Sequence, residues 1–257
     1  MEITKLEDLL YEDWTWRKTE ISELIILAET EETNVLLKSV ILLLYAHWEG
    51  YIKKSSKTYL KFISDNQVEV SKLTDNFKYF ALKGLSKEVF NSRDTLTTNN
   101  ELNFITKFNE INAMTIDKLL RINLENERDK TIIDTQDNLT PAIFKRILDI
   151  IGIKYLDGYE SKKAHIEINL VAHRNSIGHG NKKLSSNEDL LLEIASLKEL
   201  RDIIFLIIEN FRDDIIQFAK EGYYLRDNFG LIESYCSSKE DKISRELIAI
   251  QTRYNNE

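Results

Sequence analysis

A chain of 257 residues can bury one sizeable core, and with one proline and eight glycines it lacks the turn punctuation of β proteins, so the expected fold class is all-α. A net charge of −8 argues against coating nucleic acid through bulk charge, although a local basic patch can still hold a short strand. The lone Cys236 excludes an intramolecular disulfide. One Cys with four scattered His gives no repeated metal-ligand spacing, and the N-terminus lacks the pattern of a signal peptide, so a cytoplasmic protein without cofactor is expected.

In chain order, Trp14, Ile21, Leu24 and Ile25 repeat near 3.6 residues and predict a first amphipathic helix over 14–32. A longer helix over 35–63 follows, with Leu37, Ile41, Leu44, Trp48, Ile52, Ser55 and Tyr59 three or four apart. Its middle, Leu42 to Tyr45, is apolar all round, as in a helix buried within a bundle, and apolar runs such as Val40 to Ala46 are too short to span a bilayer. Residues 64–138 read as an insertion. Phe77, Tyr79, Phe80, Leu82 and Leu85 suggest a short helix there, whereas Asn91 to Asn103 and Asn123 to Asn138 read as loops.

Thr140-Pro141 marks a helix start and Gly152 its stop. A further helix is predicted from about Glu160 to Ser176. The last strong one begins at Ser185 or Ser186, with the stripe Leu190, Ile194, Leu197, Ile204, Ile208, Phe211, Ile215 and Phe218. After Gly222 the pattern is mixed, then helical from Lys239 to Tyr254. The expected organisation is a helical bundle over 1–222 and a C-terminal helical appendage over 223–257.

The chemistry concentrates in Arg174-Asn175-Ser176-Ile177-Gly178-His179-Gly180. On a continuous helix Arg174 and His179 stand about 140° apart, but Gly178 and Gly180 can end or bend the helix so that the imidazole swings back beside the guanidinium. A guanidinium grips phosphate and an imidazole exchanges a proton near neutrality. Together they suffice for transesterification of RNA, where the 2′-OH is the nucleophile and no metal is required. The plainer alternative is a helix end where His179 meets the last carbonyls and Arg174 pairs with an acid.

The string Arg174 to Gly180 resembles the R-x4-6-H motif of HEPN-domain ribonucleases. Independently, Leu43-Leu44-Tyr45-Ala46-His47-Trp48-Glu49-Gly50-Tyr51-Ile52-Lys53 looks like the signature helix of the MAE_28990/MAE_18760-like HEPN branch. The resemblance spans about residues 15–220 and implies a HEPN-type bundle acting as a homodimer, with two motifs facing across a shared cleft. Arg174 and His179 carry over onto the motif's Arg and His, and Asn175 onto the polar position after the Arg. It further implies a metal-independent endoribonuclease of a toxin–antitoxin or antiviral system, with an antitoxin or companion defence protein as partner. The second reading is a non-catalytic HEPN scaffold or nucleotide-binding partner in a defence complex.

Glu49 lies in a largely apolar helix and needs a partner. Arg174 or His179 is the functional expectation, and a solvated pair with Lys53, worth ~0.3–0.5 kcal/mol, is the alternative. Lys53, Lys182 and Lys183, with Lys54, Lys57, Lys162 and Lys163, would form a positive rim for single-stranded RNA if their elements adjoin. His47, His165 and His173 read as bundle side chains and Trp48 as a core anchor. Scattered acids such as Asp134, Asp137, Asp213 and Asp214 show no metal-ligand spacing.

Overall fold

The structure, a computed structural model, describes residues 1–31, 33–77, 119–124, 132–135, 138–180 and 193–255. The fold is all-α. Among the described residues β-pairing is limited to two isolated bridges, Glu69 with Leu119 and Leu73 with Leu225.

Helix α1 runs Ile3–Glu31, starting well before the predicted residue 14. Leu6, Leu10 and Trp14 already form the buried stripe that continues through Ile21, Ile25 and Ala28. Exposed Leu9 and Tyr11 blur that stripe in the sequence. Helix α2, Asn34–Asp65, begins where the Thr33 hydroxyl accepts from the Leu36 N–H at 3.3 Å. The two pack antiparallel, because Tyr51 donates to the Leu10 carbonyl while Glu20, further along α1, meets His47, earlier in α2. By length and composition α2 could cross a membrane, but half of its apolar window is buried within the bundle.

Helix α3, Pro141–Ile151, has the predicted boundaries. The Thr140 side chain accepts from Ile143 N at 3.2 Å, and Gly152 ends the helix at φ +77°, which an L side chain adopts only with strain. Short α4, Asp157–Ser161, leads into α5, Lys163–Ile166, then a π-helical stretch, Glu167–Ala172, then α6, His173–Gly178. Helix α7, Ile194–Glu221, follows extended backbone at Glu193, so the long helix starts at Ile194. The predicted start at Ser185 or Ser186, like Tyr79 to Leu85 and Asn91 to Asn103, lies outside the described residues. Helix α8, Ile232–Asn255, is longer than the predicted Lys239 to Tyr254.

Helices α1, α2 and α7 form the centre. Glu7–Lys220, Lys18–Glu209 and Glu29–Lys198 ion pairs run α7 antiparallel to α1. Trp14 packs edge-on against Tyr51 and Phe205, with ring centroids 5.4 and 5.0 Å away. A second hub is Phe144 of α3, which meets Trp48, Tyr159 and Phe211 at 5.0, 5.7 and 5.8 Å. Each such side chain contributes about 1.5–3 kcal/mol through burial alone.

Helix α8 docks through Ile232, Cys236, Lys239, Ile243, Leu247 and Ile250, all buried and spaced three or four apart. It also secures the start of α4, where the Glu240 carboxylate accepts from Asp157 N and Gly158 N at 3.0 and 2.8 Å. A Cβ on Gly158 would stand 2.3 Å from Ile243 Cγ2. Gly158→Ala is therefore expected to destabilise the fold by about 1–3 kcal/mol through overpacking. A chemical-denaturation midpoint equal to wild type would mean that α8 yields freely.

Candidate active site

The run from Lys163 to Gly178 is a continuous helix whose middle, Glu167–Ala172, is π-helical. A π turn holds an extra residue, so it rotates everything after it relative to α spacing, and such turns recur at functional sites. Side chains support this turn. Asn169 Nδ2 donates to the His165 carbonyl at 3.0 Å, and His173 Nδ1 donates to the Asn169 carbonyl at 3.0 Å. The carbonyl acceptor sets the His173 tautomer with its proton on Nδ1, and burial holds its pKa below the usual histidine value. Burial likewise lowers His165.

Directly after the π turn, Arg174 reaches α2. Its guanidinium lies over the Tyr45 ring, 4.6 Å from the centroid. Nη1 donates to Asn138 Oδ1 and to Asn175 Oδ1, both at 2.8 Å. Arginine has only donors, so both amides present oxygen. The Tyr45 hydroxyl accepts from Leu139 N at 2.7 Å. Burial first, then the Glu49 carboxylate, pushes this phenol up to about 12 against the opposing Leu139 N–H and Arg174 charge, so Tyr45 stays neutral near pH 7.

His179 does not join Arg174. Helix α6 continues through Gly178, His179 N donates to the Asn175 carbonyl at 3.0 Å, and Gly180 at φ +63° follows in the left-handed region. The glycines thus end the helix without folding the imidazole back. His179 is exposed and makes no hydrogen bond to Arg174, since five residues of helix separate them by about 7.5 Å along the axis.

Glu49 departs from the expected pairing as well. It accepts from Thr135 Oγ1 and forms no ion pair with Arg174 or His179. The segment bearing Thr135 and Asn138 follows Ile133, a buried β-branched residue at φ +60°. That conformation costs about 1–3 kcal/mol and persists where surroundings enforce it.

The string around Tyr45 divides between opposite sides of α2. Tyr45 and Glu49 face the motif, and Trp48 and Tyr51 enter the core. His47 faces α1, taking Arg17 Nη1–H on Nδ1 at 3.1 Å and facing Glu20 Oε2 with Nε2 at 2.7 Å. Gly50 leaves room for that arginine, whose Nη1 would be 2.8 Å from a Cβ. Arg17 is neutralised by Asp13, which also takes Lys54 at 2.6 Å.

Of the expected rim, Lys53 is half-buried one turn after Glu49, on the motif side, and Lys57 follows it. Lys57 is pushed below the usual lysine range by burial and by the Lys53 charge. Lys54 is engaged by Asp13, Lys162 is buried and Lys163 pairs with Glu160 at 3.4 Å, so these three do not line a rim. Lys182 and Lys183 lie outside the described residues. Tyr45, Thr135 and Asn138 are the contacts that the sequence does not announce. The i, i+4 spacing of Tyr45 and Glu49 could have paired those two, but nothing local marks Asn138.

A family model described as HEPN_MAE_28990-like HEPN matches residues 6–224. No curated protein and no solved structure gives a significant match. The match includes α2, the motif helix and α7 and stops before α8. The chain therefore belongs to the MAE_28990-like family of HEPN proteins.

Proposed function

We propose that this protein is a metal-independent endoribonuclease that cleaves single-stranded RNA by 2′-OH transesterification, acting as a homodimer. The observation that carries the reading is Arg174: a half-buried cation held by two amide oxygens and an aromatic face, with no carboxylate against it among the described residues. Such a charge suits an anionic ligand. HEPN domains are often endoribonucleases and often act as RNA-binding dimers.

In the reaction the O2′–P bond forms as P–O5′ breaks. One imidazole takes the 2′-OH proton, a second protonates O5′, and Arg174 stabilises charge on the non-bridging oxygens. The products are a 2′,3′-cyclic phosphate and a 5′-hydroxyl. Each chain supplies one motif imidazole, so the second comes from His179 of the partner subunit, and two copies would bring together groups that stand apart in one chain. Asn175 holds Arg174, Glu49 orders the Tyr45 side, and Lys53, Lys182 and Lys183 bind flanking phosphates. A toxin or antiviral role in the cytoplasm, restrained by an antitoxin or companion protein, fits such an activity.

The separation of Arg174 from His179 within one chain favours a second reading, a phosphate-binding HEPN scaffold without catalysis. RNA incubated with purified protein in EDTA distinguishes them. The enzyme yields cyclic-phosphate ends, lost in both Arg174→Ala and His179→Ala. The scaffold binds RNA and leaves it intact, also after induction in cells, where the enzyme would be toxic.

A further inference from the structure

We infer that Asn138 is a positioning residue that, with Tyr45, forms a charge-neutral clamp presenting the Nε–Nη2 edge of Arg174 to an RNA phosphate. This rests on the ribonuclease reading and deepens it, because it assigns the orientation of the binding group to a residue outside the motif and outside its helix.

A guanidinium has five N–H donors. The two on Nη1 are consumed by Asn138 and Asn175, and the Tyr45 ring covers one face. Among the described residues nothing accepts from Nε or Nη2. These form the side-on edge whose parallel N–H bonds match two oxygens of one phosphate. The clamp therefore leaves open the edge that bidentate recognition uses.

The same helix provides a contrast. On the opposite side of α2, Arg17 gives Nε to Asp13 Oδ2 at 3.0 Å and Nη1 to His47 at 3.1 Å. That arginine is closed by a carboxylate. Arg174 has the Glu49 carboxylate nearby, yet Thr135 engages it and amides serve in its place. The charge of one arginine beside α2 is offset by a carboxylate, and for the other the described residues supply amides.

Asn138 is well anchored for this task. The next residue, Leu139, gives its N–H to Tyr45 and accepts Trp48 Nε1–H at 3.3 Å, Thr135 holds Glu49, and the Asn138 carbonyl accepts from Thr140 N at 3.0 Å at the start of α3. The amide is thus fixed to α2 from both sides in sequence. Asn175 could turn with its own helix, whereas Asn138 ties the guanidinium to a different element.

The test compares Asn138→Asp with Asn138→Ala in the full chain. A purely structural hydrogen-bond role predicts that Asp, nearly isosteric and a stronger acceptor, is tolerated better than Ala. The neutral clamp predicts the reverse. In Asn138→Asp the new carboxylate neutralises Arg174, so affinity for a 2′-O-methyl oligoribonucleotide falls about 10- to 100-fold, as for a buried charge withdrawn from its ligand, while thermal stability is kept or raised. The slope of log affinity against log salt becomes shallower by about one phosphate contact. Asn138→Ala keeps the charge and that slope and loses less affinity. Wild-type affinity and slope in Asn138→Asp would overturn the inference and leave the ribonuclease reading standing. A wild-type protein that binds neither this oligonucleotide nor cleavable RNA would overturn both.

Discussion

Arg174→Lys is expected to lose RNA cleavage almost as completely as Arg174→Ala, by about 10²–10³-fold in kcat, with the fold intact. Lysine keeps the charge, but its ammonium is a point donor without the planar fork. It cannot satisfy Asn138 and Asn175 through one nitrogen, as Nη1 does at 2.8 Å each, while offering a second, parallel pair of N–H bonds. It also forfeits much of the flat contact with Tyr45, 4.6 Å from the guanidinium carbon. Single-turnover cleavage with saturating RNA separates this from weak binding. Lysine activity within threefold of wild type would mean that charge alone matters and that the fork is incidental.

Lys239→Ala is expected to cost about 3–5 kcal/mol, because it leaves Asp214 charged and unpaired in the interior. Lys239 Nζ donates to Asp214 Oδ1 at 2.5 Å, to the Asn210 carbonyl at 2.9 Å and to the Tyr235 hydroxyl at 3.1 Å, and both ion-pair partners are under a tenth exposed. Burial already pushes the Asp214 carboxyl above the usual carboxylate range, with Lys239 opposing it, and removing the lysine deletes that opposition. Replacing both partners, as in Lys239→Met with Asp214→Leu, is expected to recover most of the loss, since an apolar pair requires no desolvated charge. Urea unfolding of the two variants provides the comparison. A loss below 1 kcal/mol in Lys239→Ala would show that water reaches Asp214.

These two sites differ in how far the sequence exposes them. Lys239 occupies an apolar stripe, between Cys236 and Ile243, and spacing alone places it inward. Its partner is on α7, 25 positions earlier, and only docking of α8 reveals it. The HEPN membership shows the same division, since the motif and the Tyr45 to Lys53 string are both local patterns and both are legible. The relation between them is tertiary. Glu49 was expected to meet Arg174 or His179 and instead holds Thr135, a residue from a stretch with no periodicity to analyse. The predicted swing of His179 toward Arg174 rested on glycine freedom, which permits a bend but does not require one.

By itself the sequence determined the all-α class, the identity of the motif and the elements whose ends are chemically marked. Thr140, Pro141 and Gly152 bound α3 because capping and left-handed backbone are decided within one turn of helix. Tertiary structure alone decided the early start of α1, whose first turns are stabilised by the core, and the π turn, whose cost is met by side chains bonding carbonyls four residues back. It also decided which arginine beside α2 keeps an open edge among the described residues. Arg17 and Arg174 are the same residue type near the same helix, and the packing of Asp13 against one and of Asn138 against the other separates a closed ion pair from a cation held by an amide. Charge availability depends on neighbours distant in the chain, and no local pattern encodes them.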